Sequence, residues 1–348
     1  MAQVVVITGA TAGVGRATAR AFARRKACIG LLARGVDRLT ATAAEVEGAG
    51  GRALALPTDV ADAEAVERAA EAVERQLGPI DIWINCAMAT TFAPLHEIDA
   101  DEYRRATEVT YLGFVYGTMA ALRRMRPRNH GIIVQVGSAL AYRSIPLQAP
   151  YCGAKHAILG FTASLRSELM HEGSGVHVTM VQMPALNTPQ FEWARNKMPR
   201  RPQPVPPIFE PEMAAEAIVF ATQTRRREIF VGGSTVAAII ANRLVPGLLD
   251  RYLARSAYRG QMTEEANPGG PGNLFAPAAG DRGARGRFGA QAHRRSTEFW
   301  AVRHRGLLVA GLVAFVAALL TAWPSRVAAR AARRRGALGQ RPIDAVQD

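Results

Sequence analysis

Short runs of β-branched and aliphatic residues alternate with longer Ala-rich amphipathic segments up to about residue 233. Near-continuous apolar strands joined by helices are typical of a parallel sheet that is covered on both faces. The pattern therefore predicts an α/β fold: a doubly wound, Rossmann-type parallel sheet of about seven strands with helices on both faces. The predicted strands are Val4–Thr8, Ile29–Leu32, Ala53–Leu56, Ile80–Ile84, Ile132–Val136, Val176–Val181 and Ile229–Val231.

Helix signals agree with this arrangement. Asp62 precedes an Ala/Glu/Arg pattern that runs to about Leu77, where a Gly-Pro pair should end the helix. We expect one continuous helix from about Asp101 to Met125. The stretch from Pro184 to Pro211 is too rich in proline for a regular helix, and we interpret it as a mobile loop.

The composition changes after residue 235. Leu307–Trp323 is uncharged and mostly apolar. At ~1.5 Å per residue it would span about 26 Å, close to the ~30 Å of a bilayer core. A helix that is apolar on every side needs complete enclosure, so membrane insertion is favoured over burial against the preceding domain. We divide the chain into an α/β domain at 1–235, an apolar, amphipathic helical segment at 236–260, a Gly/Pro-rich linker at 261–300, a predicted transmembrane helix at 301–325 and a basic tail at 326–348.

The net charge is +14, of which +10 lies in residues 251–348. A basic tail beside an apolar segment fits an anionic membrane surface, and we expect no nucleic-acid partner. Cys28, Cys86 and Cys152 lie in predicted core elements and indicate neither a disulfide framework nor a metal site. Because almost nothing precedes the first strand, we expect no signal peptide. These features predict a membrane-associated protein whose α/β domain lies in the reducing cytoplasm.

A glycine-rich turn, Thr8–Gly15, follows the first predicted strand and opens the first helix. Glycines let the main chain approach a pyrophosphate, whose charge is favoured by the amides of a helix N-terminus. This context favours a dinucleotide site over a purely structural turn. The second strand leads into Arg34, where an acidic residue would bind the 2′-hydroxyl of NAD. A cation suits a 2′-phosphate, so we predict NADP(H) in preference to NAD(H), with Arg38 as a second candidate contact.

These motifs resemble the short-chain dehydrogenase/reductase family over residues 3–233. The glycine turn matches the family's TGxxxGxG motif, Asp59-Val60 its adenine-contacting pair and Tyr151–Lys155 its YxxxK motif. Ser138 corresponds to the family serine. The resemblance implies a nicotinamide-dependent oxidoreductase in which Ser138, Tyr151 and Lys155 are catalytic, and it suggests a homo-oligomer.

The chemistry of the three residues follows from their positions. Tyr151 and Lys155 are four residues apart on a predicted helix, so their side chains face one way. The ammonium of Lys155 should lower the pKa of the Tyr151 phenol, which is ordinarily near 10. Tyr151 would donate a proton to a carbonyl oxygen during reduction, or remove it during oxidation. Ser138 would hydrogen-bond the same oxygen.

Three positions depart from the family pattern. Asn85-Cys86-Ala87-Met88 stands where NNAG is usual, which leaves Asn85 and Ala87 as contacts. Thr110 stands where the family asparagine holds a water between lysine and solvent, so we count Thr110 among the catalytic residues as a partial substitute. Pro184-Ala185 replaces Pro-Gly, and Thr188 matches the family's cofactor-contacting threonine. The predicted cofactor contacts are Thr8, Gly9, Thr11, Gly13, Val14, Gly15, Arg34, Asp59, Val60, Asn85, Ala87, Tyr151, Lys155, Pro184 and Thr188.

The predicted substrate pocket is apolar and aromatic, and we assign it to Leu140, Tyr142, Leu186 and Phe191. It favours a hydrophobic ketone, aldehyde or secondary alcohol. We therefore predict a membrane-tethered, NADP(H)-dependent oxidoreductase. The alternative is a membrane-associated nucleotide-binding scaffold or redox sensor with little turnover, suggested by Thr110 and Met88. The tight glycine spacing and the short substrate segment argue against an epimerase or dehydratase.

Overall fold

A parallel seven-stranded sheet forms the centre of the protein in the computed structural model, which describes residues 2–311, 313–316 and 318. Numbered along the chain, its strands are β1 Val4–Thr8, β2 Cys28–Ala33, β3 Arg52–Pro57, β4 Ile82–Asn85, β5 Gly131–Ser138, β6 Val176–Met183 and β7 Glu228–Phe230. Their order across the sheet is β7-β6-β5-β4-β1-β2-β3. The predicted doubly wound α/β sheet is confirmed, and its central strands are almost fully buried because apolar side chains line both faces.

Helices connect the strands and pack on the two faces of the sheet. α3 begins after Asp62, whose carboxylate accepts a hydrogen bond from the Ala65 N–H at 3.0 Å, and it ends at Gly78, as predicted. The helices are α1 Gly13–Ala23, α2 Val36–Gly48, α3 Ala63–Leu77, α4 Ala100–Thr107, α5 Gly113–Met125, α6 Ala149–His171, α7 Gln190–Trp193, α8 Pro211–Thr222, α9 Gly233–Leu244, α10 Pro246–Gly260 and α11 Thr297–Arg303.

The helix that was predicted as continuous from Asp101 to Met125 contains a wider turn. Between α4 and α5, residues Glu108–Leu112 form a π-helix. Such a turn inserts an extra residue into the helical repeat and commonly occurs at functional sites. It places Thr110 in a fully buried position beneath the loop that follows β4.

The segment predicted as a Gly/Pro-rich linker is instead packed against the α/β domain, and the compact unit extends to Phe299. We call residues 262–293 the strap. Its first strand, Met262–Ala266, pairs with Arg200–Pro202, and its last, Ala292–His293, pairs with Ile208–Phe209. Four apolar side chains spread along the strap are buried, namely Met262, Leu274, Ala284 and Phe288. The linker prediction was wrong because the few buried side chains that hold the strap are widely spaced. Such spacing produces no helical or strand periodicity in the sequence.

The strap also pairs with the stretch that was predicted as a mobile loop. Between Pro184 and Pro211 the chain forms short strands and the single-turn helix α7. The partners of this stretch in the strap are 60 or more positions away along the chain. The substrate-side segment is therefore held from outside by the C-terminal part of the unit.

The predicted transmembrane helix at 301–325 falls partly outside the described residues, and the basic tail at 326–348 lies wholly outside them. Within the described part, no single helix is long and apolar enough to cross a bilayer. Thr297–Arg303 and Arg305–Val316 pass the length and composition criteria only as a bent pair.

Candidate active site

The turns that follow β1, β2, β4, β5 and β6 meet in one cleft at the carboxyl edge of the sheet. This is where open parallel α/β sheets bind ligands. Most of the predicted cofactor contacts line it: Gly9, Thr11, Gly13, Val14, Gly15, Arg34, Asp59, Val60, Ala87, Tyr151, Lys155, Pro184 and Thr188.

The glycine turn leaves no room for side chains. Gly9 has a φ of +69° and Gly13 a φ of +52°, which favour glycine. A Cβ on Gly15 would lie 2.2 Å from the Gly9 carbonyl oxygen, and one on Gly13 would lie 3.1 Å from Thr188 Cγ2 across the cleft. The N-terminus of α1 has neither a side-chain cap nor an acidic residue in its first turn. Its amides can therefore receive an anionic diphosphate, so these residues fit a dinucleotide.

Thr8 and Asn85 support the cleft from behind and do not line it. The Thr8 hydroxyl accepts hydrogen bonds from the N–H groups of Cys86 and Ala87, at 3.0 and 3.2 Å. The Asn85 amide is fully buried and donates to Gln135 Oε1 at 2.9 Å. We predicted both as cofactor contacts; their hydrogen bonds join neighbouring strands instead.

Arg34 occupies the outer end of the cleft, beside Asp59. The Asp59 carboxylate is paired with Arg105. The Arg34 guanidinium donates to three main-chain carbonyls of the strap, those of Asn273, Leu274 and Phe275. Burial lowers the pKa of Arg34, although a guanidinium with so high a pKa stays charged at neutral pH.

Arg38, the second predicted cation, lies on the same side, with its guanidinium carbon 5.2 Å from the ring centroid of Trp193. The outer end of the cleft thus combines two guanidinium groups with an aromatic ring.

The three predicted catalytic residues meet at the inner end of the cleft. Ser138 ends β5, Tyr151 lies in the first turn of α6, and Lys155 follows one turn later. All three side chains line the cleft, and Ser138 lies close enough to Tyr151 to affect its pKa. The Lys155 ammonium is 3% exposed, donates to the Val136 carbonyl at 2.7 Å and lies 4.6 Å from the ring centroid of Phe114.

The electrostatics of this group differ from the prediction. Burial raises the pKa of Tyr151, and the neighbouring Ser138 hydroxyl only partly opposes that rise. Lys155 Nζ is 5.5 Å from the Tyr151 ring centroid. Burial also lowers the pKa of Lys155 to about 8. Burial therefore dominates the pKa of Tyr151 in this arrangement, and the expected lowering by Lys155 is not seen.

Comparison with known proteins agrees with this geometry. Residues 3–199 match the family model for short chain dehydrogenases. An uncharacterised oxidoreductase of Bacillus subtilis, YxnA, is 32% identical over 326 residues, 91% of this chain and 90% of that protein. The chain belongs to the short-chain dehydrogenase/reductase family. It is accordingly an oxidoreductase that acts on an alcohol or ketone with a nicotinamide cofactor.

Two further similarities lie within this dehydrogenase family. Estradiol 17-beta-dehydrogenase 11 of Pongo abelii is 30% identical over 253 residues, 72% of this chain and 81% of that enzyme. The solved structure of an alcohol dehydrogenase from the archaeon Thermococcus sibiricus, complexed with 5-hydroxy-NADP, is 27% identical with a TM-score of 0.57. The match covers 66% of this chain and 96% of that one.

In this short-chain dehydrogenase, Thr110 lies behind the cleft and does not line it. Its hydroxyl donates to the Ala89 carbonyl at 2.8 Å and accepts from the Ala89 N–H at 2.9 Å. The hydroxyl is thus committed to the loop after β4, between the glycine turn and the catalytic helix. The predicted role of Thr110 as a replacement for the proton-path asparagine is not reflected in these contacts.

Of the four predicted substrate-pocket residues, Leu186 lines the cleft. The Tyr142 hydroxyl donates to Glu228 at 2.5 Å, beside β7. Phe191 packs against Phe288 of the strap, with ring centroids 6.0 Å apart. Leu140 does not line the cleft and contributes only its N–H, which donates to Ser138 Oγ at 3.1 Å.

Among the lining residues that the sequence did not anticipate, Asn273 comes from the strap. No local pattern could have revealed it, because its position depends on chain pairing at long range.

Proposed function

We propose that this enzyme is an NADP(H)-dependent oxidoreductase that interconverts hydrophobic ketones or aldehydes and alcohols, with Tyr151 as the general acid and base. The observation that carries the proposal is that Ser138, Tyr151 and Lys155 line the same cleft as the uncapped N-terminus of α1. The diphosphate and the reacting carbonyl would then lie along one continuous groove.

The side chains have complementary tasks. When bound, the nicotinamide supplies or accepts the hydride. During reduction, Tyr151 donates its phenolic proton to the substrate oxygen, and Ser138 donates a hydrogen bond to the same oxygen. The Lys155 ammonium, which is protonated below about pH 8, stabilises the phenolate that remains. Oxidation reverses each transfer.

The preference for NADP(H) rests on unpaired positive charge. Arg34 and Arg38 both line the cleft, and neither forms an ion pair with a carboxylate among the described residues. Asp59, the nearby carboxylate that could bind a ribose hydroxyl, is paired with Arg105. Two guanidinium groups whose charge no carboxylate pairs favour a 2′-phosphate.

The proposed substrate class follows from the apolar side of the cleft, formed by Met88, Met183, Leu186 and Trp193. We further propose that the C-terminal segment holds the enzyme at a membrane, since Leu307–Trp323 is apolar and flanked by arginines. Sedimentation of the full-length chain with membranes, resistant to high salt and lost on deletion of residues 300–348, is the expected result.

A spectroscopic screen tests the catalytic proposal. Full-length protein in detergent is mixed with NADPH or NADH and a panel of hydrophobic ketones and aldehydes. We expect turnover with NADPH, at least 100-fold reduced by Tyr151→Phe. Tyr142→Phe is the matched control, because its hydroxyl contacts Glu228 outside the cleft; it should retain turnover. Tight NADPH binding without turnover of any carbonyl would favour the scaffold alternative.

A further inference from the structure

The strap closes the outer end of the nucleotide cleft. The carbonyl oxygens of Asn273, Leu274 and Phe275 accept hydrogen bonds from Arg34 at 2.5, 3.2 and 3.1 Å. All three bonds use the terminal nitrogens Nη1 and Nη2. The Nε–H of Arg34 has no protein acceptor within the described part of the chain, so it remains available to a ligand.

The strap reaches the neighbouring charged groups as well. The Leu274 carbonyl also accepts from Arg105 Nε at 3.2 Å, and Arg105 is the partner of Asp59. The Asn273 N–H donates to the Trp193 carbonyl at 2.8 Å, and Trp193 is the ring beside Arg38. One tripeptide of the strap therefore bonds to Arg34, Arg105 and Trp193, and it reaches Asp59 and Arg38 only through the last two.

Leu274 anchors this tripeptide. Its side chain is 0% exposed and belongs to the core cluster that contains Val60 and Val109, two residues that line the cleft. The neighbouring Phe275 is 57% exposed. The main chain at 273–275 is thus fixed by one buried side chain rather than by general hydrophobic contact.

We propose that residues 273–275 are a specificity-determining part of the nucleotide site: their carbonyls orient Arg34, so that its Nε–H meets the 2′-phosphate of NADP(H). The strap carbonyls accept hydrogen bonds from Nη1 and Nη2 of Arg34, while the 2′-phosphate would accept one from its Nε–H. This inference rests on the proposed NADP(H) preference and assigns its cause to a segment far from the glycine turn in sequence. The match to the Bacillus subtilis oxidoreductase covers 91% of this chain. The residues left out number about 31, too few for the match to end before the strap does.

A matched pair of glycine substitutions can displace the strap selectively. Gly272 has a φ of +66°, and a Cβ there would lie 2.6 Å from the Arg195 main-chain nitrogen. Gly269 has a φ of +74°, and a Cβ there would meet nothing within 4 Å. Gly272→Ala and Gly269→Ala therefore impose the same backbone strain, but only the first forces the chain beside residue 273 away from its neighbour.

The measurement is the Kd of NADPH and of NADH with full-length protein, followed by nicotinamide fluorescence without substrate. We expect Gly272→Ala to raise the Kd of NADPH at least tenfold and that of NADH less than threefold, while Gly269→Ala changes neither more than twofold. In an Arg34→Ala background, Gly272→Ala should have no further effect on NADPH, because the two changes remove the same contact.

Three outcomes would overturn the proposal: an equal loss of affinity for both nucleotides, no change, or tighter NADPH binding by Gly272→Ala. If that variant does not fold, Leu274→Ala against Leu248→Ala, at a leucine of α10 that is 62% exposed, gives the same comparison, with the effect expected only for Leu274. Because no turnover is needed, a strap effect on NADPH binding would stand even if every carbonyl failed as a substrate.

Discussion

The guanidinium of Arg16 in α1 donates hydrogen bonds to both carboxylate oxygens of Asp281, a strap residue 265 positions further along the chain. Arg16 is 2% exposed and is also paired with Glu45 of α2. Hydrogen bonding to Arg16 lowers the pKa of Asp281. A buried guanidinium requires such partners, so the strap completes the charge balance of a helix that opens the nucleotide site.

Removing this carboxylate should loosen the strap. We expect Asp281→Asn to lower the free energy of unfolding by about 1–2 kcal/mol, less than for a fully buried pair, because Asp281 is 38% exposed. Limited proteolysis should cut the strap faster. Asp250→Asn is the control, since its partner Arg143 belongs to a pair outside the strap. If both variants were cut at the same rate, the Arg16–Asp281 pair would not be what holds the strap in place.

Gly15 should not accept any side chain. A Cβ would lie 2.2 Å from the Gly9 carbonyl, and neither main-chain segment can move without distorting the turn. Gly15→Ala should therefore abolish measurable nucleotide binding, or fold with a loss of several kcal/mol. Gly160→Ala in α6, where a Cβ meets nothing within 4 Å, should instead raise stability by about 1 kcal/mol. Calorimetry with NADPH and thermal unfolding give both values.

The buried Lys155 makes stability depend on pH. Its pKa is about 8 in the folded protein against 10.5 ordinarily, so between these values the unfolded chain binds more protons and the free energy of unfolding rises with pH. Lys155→Met removes this dependence. The free energy of unfolding of Lys155→Met should exceed that of the wild type most at pH 7. By pH 10 this difference should be smaller by up to about 3 kcal/mol. Urea titrations without nucleotide measure it, and a difference that is constant with pH would refute the assignment.

The Thr110 hydroxyl should contribute to stability through its two hydrogen bonds to the Ala89 main chain. Thr110→Val leaves the buried N–H and carbonyl of Ala89 without their partner, at a cost of about 1–3 kcal/mol. Thr110→Ser should restore most of that stability. If Thr110 acts only in this way, the pH profile of kcat is the same in the Ser variant and the wild type. A shifted profile would instead assign it to proton transfer.

The local patterns of the chain were sufficient for the sheet, for the glycine turn and for bringing Ser138, Tyr151 and Lys155 together. Apolar runs such as Val4–Thr8 predict strands because burial on both faces demands them, and parallel strands bring their carboxyl ends to one edge. Tyr151 and Lys155 needed only helical spacing to share a face. These features depend on residues that are only a few positions apart in the sequence, or on the small number of ways in which parallel strands and helices can be connected.

Tertiary structure alone decided the strap and the charges. Asn273 and Leu274 reach Arg34 from about 240 positions away, and a Gly/Pro-rich composition cannot reveal which carbonyls will meet a guanidinium. It also decided that burial raises the pKa of Tyr151, since desolvation depends on every atom packed around a group. The sequence by itself determined which residues could react, and the packed chain determined how each is charged and what encloses them.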